Sequence, residues 1–122
     1  MTVLGIRFCT VRPDEEARAL AQFLGADGLG LAERDLGMDA PEFAGAVFPA
    51  GEHSWAEIWA ASEAMPEGVM LHIIVGDADA YAERARNNGI ALQGPVDAHG
   101  ERIYFAQAPG GLAIAILSRT DS

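Results

Sequence analysis

The chain carries the same architectural pattern twice. An apolar strand-like run, Leu4-Gly5-Ile6-Arg7-Phe8-Cys9-Thr10-Val11, precedes Asp14 and a helix-like stretch that ends at Gly25. A second run, Leu71-His72-Ile73-Ile74-Val75, precedes Asp79 and a helix-like stretch that ends at Gly89. His72 stands 65 residues after Arg7, and Asp79 stands 65 after Asp14. Two similar halves imply two similar modules, with Arg7 and His72 in equivalent places.

The size of the chain, 122 residues, suits a single compact domain over 1–122. Half of it is hydrophobic with few aromatics, so the core is expected to be aliphatic and rich in alanine. A net charge of -10 argues against a nucleic-acid surface, which needs clustered Lys and Arg, and against anionic membranes. No apolar stretch approaches the roughly 20 residues of a membrane span. The start of the chain lacks the pattern of a signal peptide, so a cytoplasmic protein is expected. Cys9 is the only cysteine, which rules out an internal disulfide.

Period and punctuation outline the elements. Residues 3–11 read as a buried strand. Pro13 with Asp14, Glu15 and Glu16 opens a helix whose apolar face is Ala17, Leu20, Ala21 and Leu24. Three shorter strand candidates follow at Leu31–Leu36, Phe43–Phe48 and Ser54–Ala61. Residues 62–68 link the halves, giving module one over about 1–64 and module two over about 68–120. Val69–Val75 reads as a strand and Ala78–Asn88 as a helix. Ile90–Leu92 begins a short strand that Gly94-Pro95 would turn. Ile103–Gln107 and Leu112–Leu117 flank a hairpin turn at Ala108-Pro109-Gly110-Gly111. The expected order is strand, helix, three strands, repeated.

This repeat, with Leu71-His72 in module two and His99-Gly100-Glu101-Arg102 leading to Ala108-Pro109-Gly110-Gly111, resembles the vicinal oxygen chelate superfamily. Glyoxalase I, extradiol dioxygenases, fosfomycin-modifying enzymes and bleomycin-binding proteins belong to it. The family's closing motif usually reads Asp-Pro-(Asp/Gly)-Gly, and Ala108 departs from it. The resemblance implies an α+β fold of two βαβββ modules, whose curved mixed sheets surround a cup-shaped cavity. It also implies a homodimer.

The resemblance further implies four metal-ligand places. The first falls on Arg7, which cannot ligate a metal in practice. The second falls near Glu57 and the third on His72, which both can. The fourth falls on Ala115, which has no ligand atom. Glu57 and His72 are therefore the residual metal candidates, and the expectation is no bound metal cofactor. Arg7 facing Glu57 as an ion pair is the more natural arrangement.

Alternation adds neighbours. Trp55, Glu57 and Trp59 share one strand face, and so do Met70, His72 and Ile74. A symmetric hairpin around 108–111 would pair Tyr104 with Ala115 and turn Tyr104 into the cup. The expected ligand-binding set is Arg7, Trp55, Glu57, Trp59, Met70, His72 and Tyr104. His72 reads either as a core histidine or as a donor or general base toward a ligand. Trp55 and Trp59 read either as core or as a platform for a flat or cationic molecule. Cys9 is an inert buried thiol, or a nucleophile if nearby positive charge lowers its pKa.

Two functions compete. One is a metal-independent protein that binds a small organic ligand. The other is a lyase, isomerase or dioxygenase using Glu57 and His72 as catalytic candidates, with or without a divalent metal. A cup filled by side chains, serving a partner-binding module, is a third.

Overall fold

A computed structural model describes residues 3–34 and 44–120. The chain separates into two compact units: Phe8–Val69, and the chain on either side of it. The first strand, β1 (Val3–Arg12), gives its residues to Arg7 to one unit and those from Phe8 to the other.

In the Phe8–Val69 unit, β1 leads into α1 (Asp14–Leu24), then β2 (Gly45–Pro49) and β3 (Trp55–Ala60). Pro13 and the acidic first turn open α1 as expected, and the Ala17 N–H donates to the Pro13 carbonyl at 2.9 Å. Ala17 and Ala21 are buried against Ala46, Phe48 and Ile58, with Leu20 and Leu24 beside them. Alanines on the inner face let the helix lie close to the sheet, so the larger Phe48 and Ile58 fill the interior. The strand order is β2-β3-β1, and β2 pairs antiparallel with β3.

The strand expected at Leu31–Leu36 is not formed over its described part, Leu31–Arg34. Residues 35 and 36 lie outside the described residues, as does Phe43 at the start of the next expected strand. The segment still touches the sheet edge: the Arg34 N–H donates to the Val47 carbonyl at 2.8 Å.

The second unit takes β4 (Gly68–Val75) from Met70 onward, followed by α2 (Ala78–Asn87), β5 (Gln93–Ala98), β6 (Glu101–Gln107) and β7 (Ala113–Arg119). The order β4-β7-β6-β5 is mixed: β4 and β7 run parallel, and the other two pairs are antiparallel. Asp77 caps α2 by accepting from the Ala80 N–H at 3.1 Å. The Ala78 N–H donates to Ser118 Oγ at 3.0 Å, which ties the helix start to β7. The helix stops at Asn88, followed by Gly89 at a φ of 88°. Ala78 and Ala82 pack with Val75, Tyr104 and Ile116 on the helix side of the sheet. Ile74, Ala115 and Leu117 form a second cluster, flanked by Met70, Ile103 and Phe105.

Two expectations need correction here. Gly94-Pro95 does not turn a strand that begins at Ile90; both residues lie inside β5, which starts at Gln93. Its register with β6 shifts between Gln93 and Val96, and β5 lies at the end of the strand order, where a proline and a bulge are tolerated.

The second correction concerns the β6–β7 hairpin, which is not symmetric around 108–111. Gln107 pairs with Ala113, leaving a five-residue connection in which Gly110 and Gly111 take φ of 87° and 89°. Tyr104 therefore pairs with Ile116, and Phe105 pairs with Ala115. A slip of one residue exchanges the faces of a strand.

The architecture is α+β. Module two has the full βαβββ order, and module one shows β-α-β-β among the described residues. None of the described helices is long and apolar enough to cross a membrane.

Candidate functional site

The alternation of β3 places Trp55, Glu57 and Trp59 on one face, while Ile58 points to the α1 side and is fully buried. The carboxylate of Glu57 is held from both sides. The Trp55 indole N–H donates to Oε2 at 2.6 Å and the Trp59 indole N–H donates to Oε1 at 3.0 Å. A carboxylate accepts readily in such a pair, and the two bonds fix the orientation of both rings. A fixed negative charge thus lies between the N–H edges of two indoles.

Partners on β2 complete the platform. Pro49 lies opposite Trp55, Val47 opposite Glu57 and Gly45 opposite Trp59. Gly45 is needed there for space. A Cβ at this position would sit 2.0 Å from the Trp59 ring. At the other end of the platform, the Arg34 guanidinium lies 4.5 Å from the centre of the Trp55 ring.

Cys9 belongs to the same unit and is half-buried. Burial, and secondarily the charge of Glu57, push its thiol up to about 11. The nucleophile reading required the opposite shift. Iodoacetamide should alkylate Cys9 at pH 8 about a hundredfold more slowly than a free cysteine. Glu57→Gln should speed that reaction, because the carboxylate is the second cause. Mass-spectrometric alkylation rates on folded protein check both statements, and a free-cysteine rate would refute the first.

In the other unit, Met70 and His72 lie in register with Ala113 and Ala115 of β7. Met70 packs against the Ile74–Ala115–Leu117 cluster, as the shared face of Met70, His72 and Ile74 implies. Arg7 pairs with Glu101: Nη1 donates to Oε2 at 3.0 Å, with side chains only 12% and 22% exposed. Glu101, from the 99–102 motif, is thus a partner of Arg7 that the sequence did not suggest.

Tyr104 lies on the α2 side, contrary to its expected place in the cup. Its hydroxyl donates to Asp79 Oδ1 and its ring faces the Arg86 guanidinium at 5.4 Å. Arg102 bridges Asp79 at 2.8 Å and Asp97 at 3.1 Å. The Tyr104 bond and then Arg102 hold the Asp79 carboxyl below its usual range, and the Asp79 bond, then burial, hold the Tyr104 phenol above its own.

The depressed acid contributes stability above about pH 4, lost as pH falls through its folded value. The raised phenol contributes stability below about pH 10, lost as pH rises through its folded value. Tyr104→Phe should therefore melt lower than the wild type by a constant margin between about pH 5 and 9. That margin should narrow at both extremes. A margin that does not change with pH in thermal melts would contradict the linkage.

His53 and Glu52 form a distant, solvated pair at 3.8 Å. His99 occupies a turn at a φ of 54°. Among the described residues, no group of three His, Cys, Asp or Glu side chains is placed to hold a metal ion. At two of the four places that the resemblance implies, Arg7 and Ala115 supply no ligand atom.

No protein-family model matches the sequence, and no curated protein does. Solved structures do match. A glyoxalase/bleomycin resistance protein/dioxygenase superfamily member from Vibrio splendidus 12B01 is 15% identical, with a TM-score of 0.63 over 96% of this chain and 99% of its own. The methylmalonyl-CoA epimerase from Mycobacterium tuberculosis is 21% identical, with a TM-score of 0.63 over 96% of this chain and 89% of its own. The chain has the vicinal oxygen chelate fold.

A catechol 2,3-dioxygenase shows the same likeness at a TM-score of 0.60 and 14% identity, over 98% of this chain and 42% of its own. A vicinal oxygen chelate fold that is compatible with epimerases and dioxygenases does not select a reaction. The residues of this chain have to do that.

One platform residue and one strand pairing escaped the sequence reading. Arg34 lay in a segment taken for a strand, and nothing in its spacing marks it as a partner of Trp55. Phe105, not Tyr104, stands opposite Ala115; a five-residue turn instead of a four-residue one would have found it.

Proposed function

We propose that the protein binds a small, flat, positively charged organic molecule on the Trp55–Glu57–Trp59 platform, without a divalent metal. The observation that carries this reading is the Glu57 carboxylate held between two indole N–H groups. Aromatic faces attract a cation through their quadrupole, and a neighbouring carboxylate adds to that attraction. The unmatched metal places, Arg7 and Ala115, support a metal-independent role. Intracellular residence and a homodimer belong to the same proposal; light scattering after size exclusion tests the dimer.

The platform contains both tryptophans of the chain, so intrinsic emission reports on it directly. Titration with N-methylquinolinium should change the wild-type emission saturably. Trp59→Ala and Glu57→Gln should weaken the binding by about tenfold. Metal analysis of protein purified without chelators, followed by titration with Zn²⁺, Ni²⁺, Fe²⁺ and Mn²⁺, should give no stoichiometric ion. Stoichiometric metal lost in His72→Ala and Glu57→Ala would overturn the metal-free reading. Turnover of a bound compound would move the protein to the enzymes of this fold.

A further inference from the structure

We infer that Arg34 is a built-in competitor for the cation place on Trp55, so that a ligand's cation settles there only by displacing its guanidinium. This rests on the binding reading above and names the residue that sets cation affinity.

Three observations carry it. The Trp55 ring is fixed by its N–H bond to Glu57 at 2.6 Å, so its face is presented in one orientation. The guanidinium lies 4.5 Å from the centre of that ring, well inside the range of a cation–π contact. The backbone of Arg34 is anchored by its N–H to the Val47 carbonyl at 2.8 Å, and Val47 pairs with Glu57 itself.

Arg34 is thus tethered beside the platform, while its side chain is exposed and able to swing away. Among the described residues, no ion pair holds the guanidinium elsewhere. Trp59 differs from Trp55 in this respect. Gly45 approaches its ring as backbone and cannot be displaced. The two rings therefore play separate parts: Trp59 is a fixed floor, and Trp55 is a face already taken by an exposed cation of the chain.

A protein whose own cation sits on its aromatic face loses part of the cation–π energy whenever a ligand replaces it. Removing the arginine removes that loss. A neutral ring of the same shape would feel a smaller difference, because it gains little from the quadrupole.

The test compares wild type with Arg34→Ala by calorimetric titration, using three probes built on one ring system at pH 8. These are N-methylquinolinium, uncharged quinoline and anionic quinoline-2-carboxylate. The expected result is about two- to fivefold tighter binding of N-methylquinolinium to Arg34→Ala, with a smaller change for quinoline. Unchanged or weaker binding of the cation would overturn the inference. So would quinoline-2-carboxylate binding to the wild type that Arg34→Ala abolishes, since Arg34 would then be an anion contact.

A second arm needs no ligand. Trp59→Phe leaves Trp55 as the sole tryptophan. Adding Arg34→Ala to it should raise acrylamide quenching of Trp55 about twofold; unchanged quenching would overturn the inference independently. If N-methylquinolinium binds the wild type and Arg34→Ala is indifferent, only the competitor role fails. If it binds neither protein, the binding reading fails and the competitor role with it.

Discussion

Phe48→Ala should cost the folded protein about 3–5 kcal/mol, the largest single-residue effect expected here. Phe48 is only 1% exposed and packs with Ile58 and the α1 alanines. Those alanines have little volume with which to collapse into the space left behind, so a cavity would persist. Chemical denaturation should show a lower midpoint at an unchanged slope. The loss should also reach the platform, because Phe48 anchors the strand whose other face carries Val47 opposite Glu57. A midpoint shift equivalent to less than about 1 kcal/mol would mean that the interior is less tightly filled than the structure indicates.

The second large effect concerns Arg7 and Glu101. Arg7→Met should destabilise by roughly 1–3 kcal/mol, below the figure for a fully buried pair because both groups keep some exposure. The cost arises from leaving the Glu101 carboxylate without its cation in a partly desolvated place. Glu101→Met should do the same in reverse. The double variant Arg7→Met/Glu101→Met should recover most of the loss, because two apolar side chains leave no uncompensated charge. Additive losses in that double-mutant cycle would show that the pair does not act as a unit. Raising the salt concentration should change the wild type little, since the pair is shielded from solvent.

Much of this fold could be read from the chain because its signals were local. The period of two in Trp55-Ala56-Glu57-Ile58-Trp59 fixes which side chains share a face, and the structure adds the indole bonds to Glu57. The repeated strand and helix follow from apolar runs and helix-start residues of matching spacing. The readings that failed depended on quantities the local pattern does not carry. Tyr104 was assigned its face from a turn length, and a difference of one residue moved it to α2. Glu101 escaped notice as a partner of Arg7 because it is reached only through the pairing of distant strands. Arg34 depends on a stretch with no clear period, whose role is visible only from the edge of β2. Gly94-Pro95 looked like a turn because glycine and proline usually end strands, and the end of a sheet is where that rule relaxes.

Gly45 has a wider consequence. Its missing side chain sets how deeply the Trp59 indole can rest against β2. Adding one methyl group, then an isopropyl group, would tilt that ring by increasing amounts while leaving every polar group of the platform in the sequence. Position 45 is therefore a tuning screw for the shape of this surface: one codon could change how the Trp59 ring lies, with Glu57 and Arg34 left in the sequence.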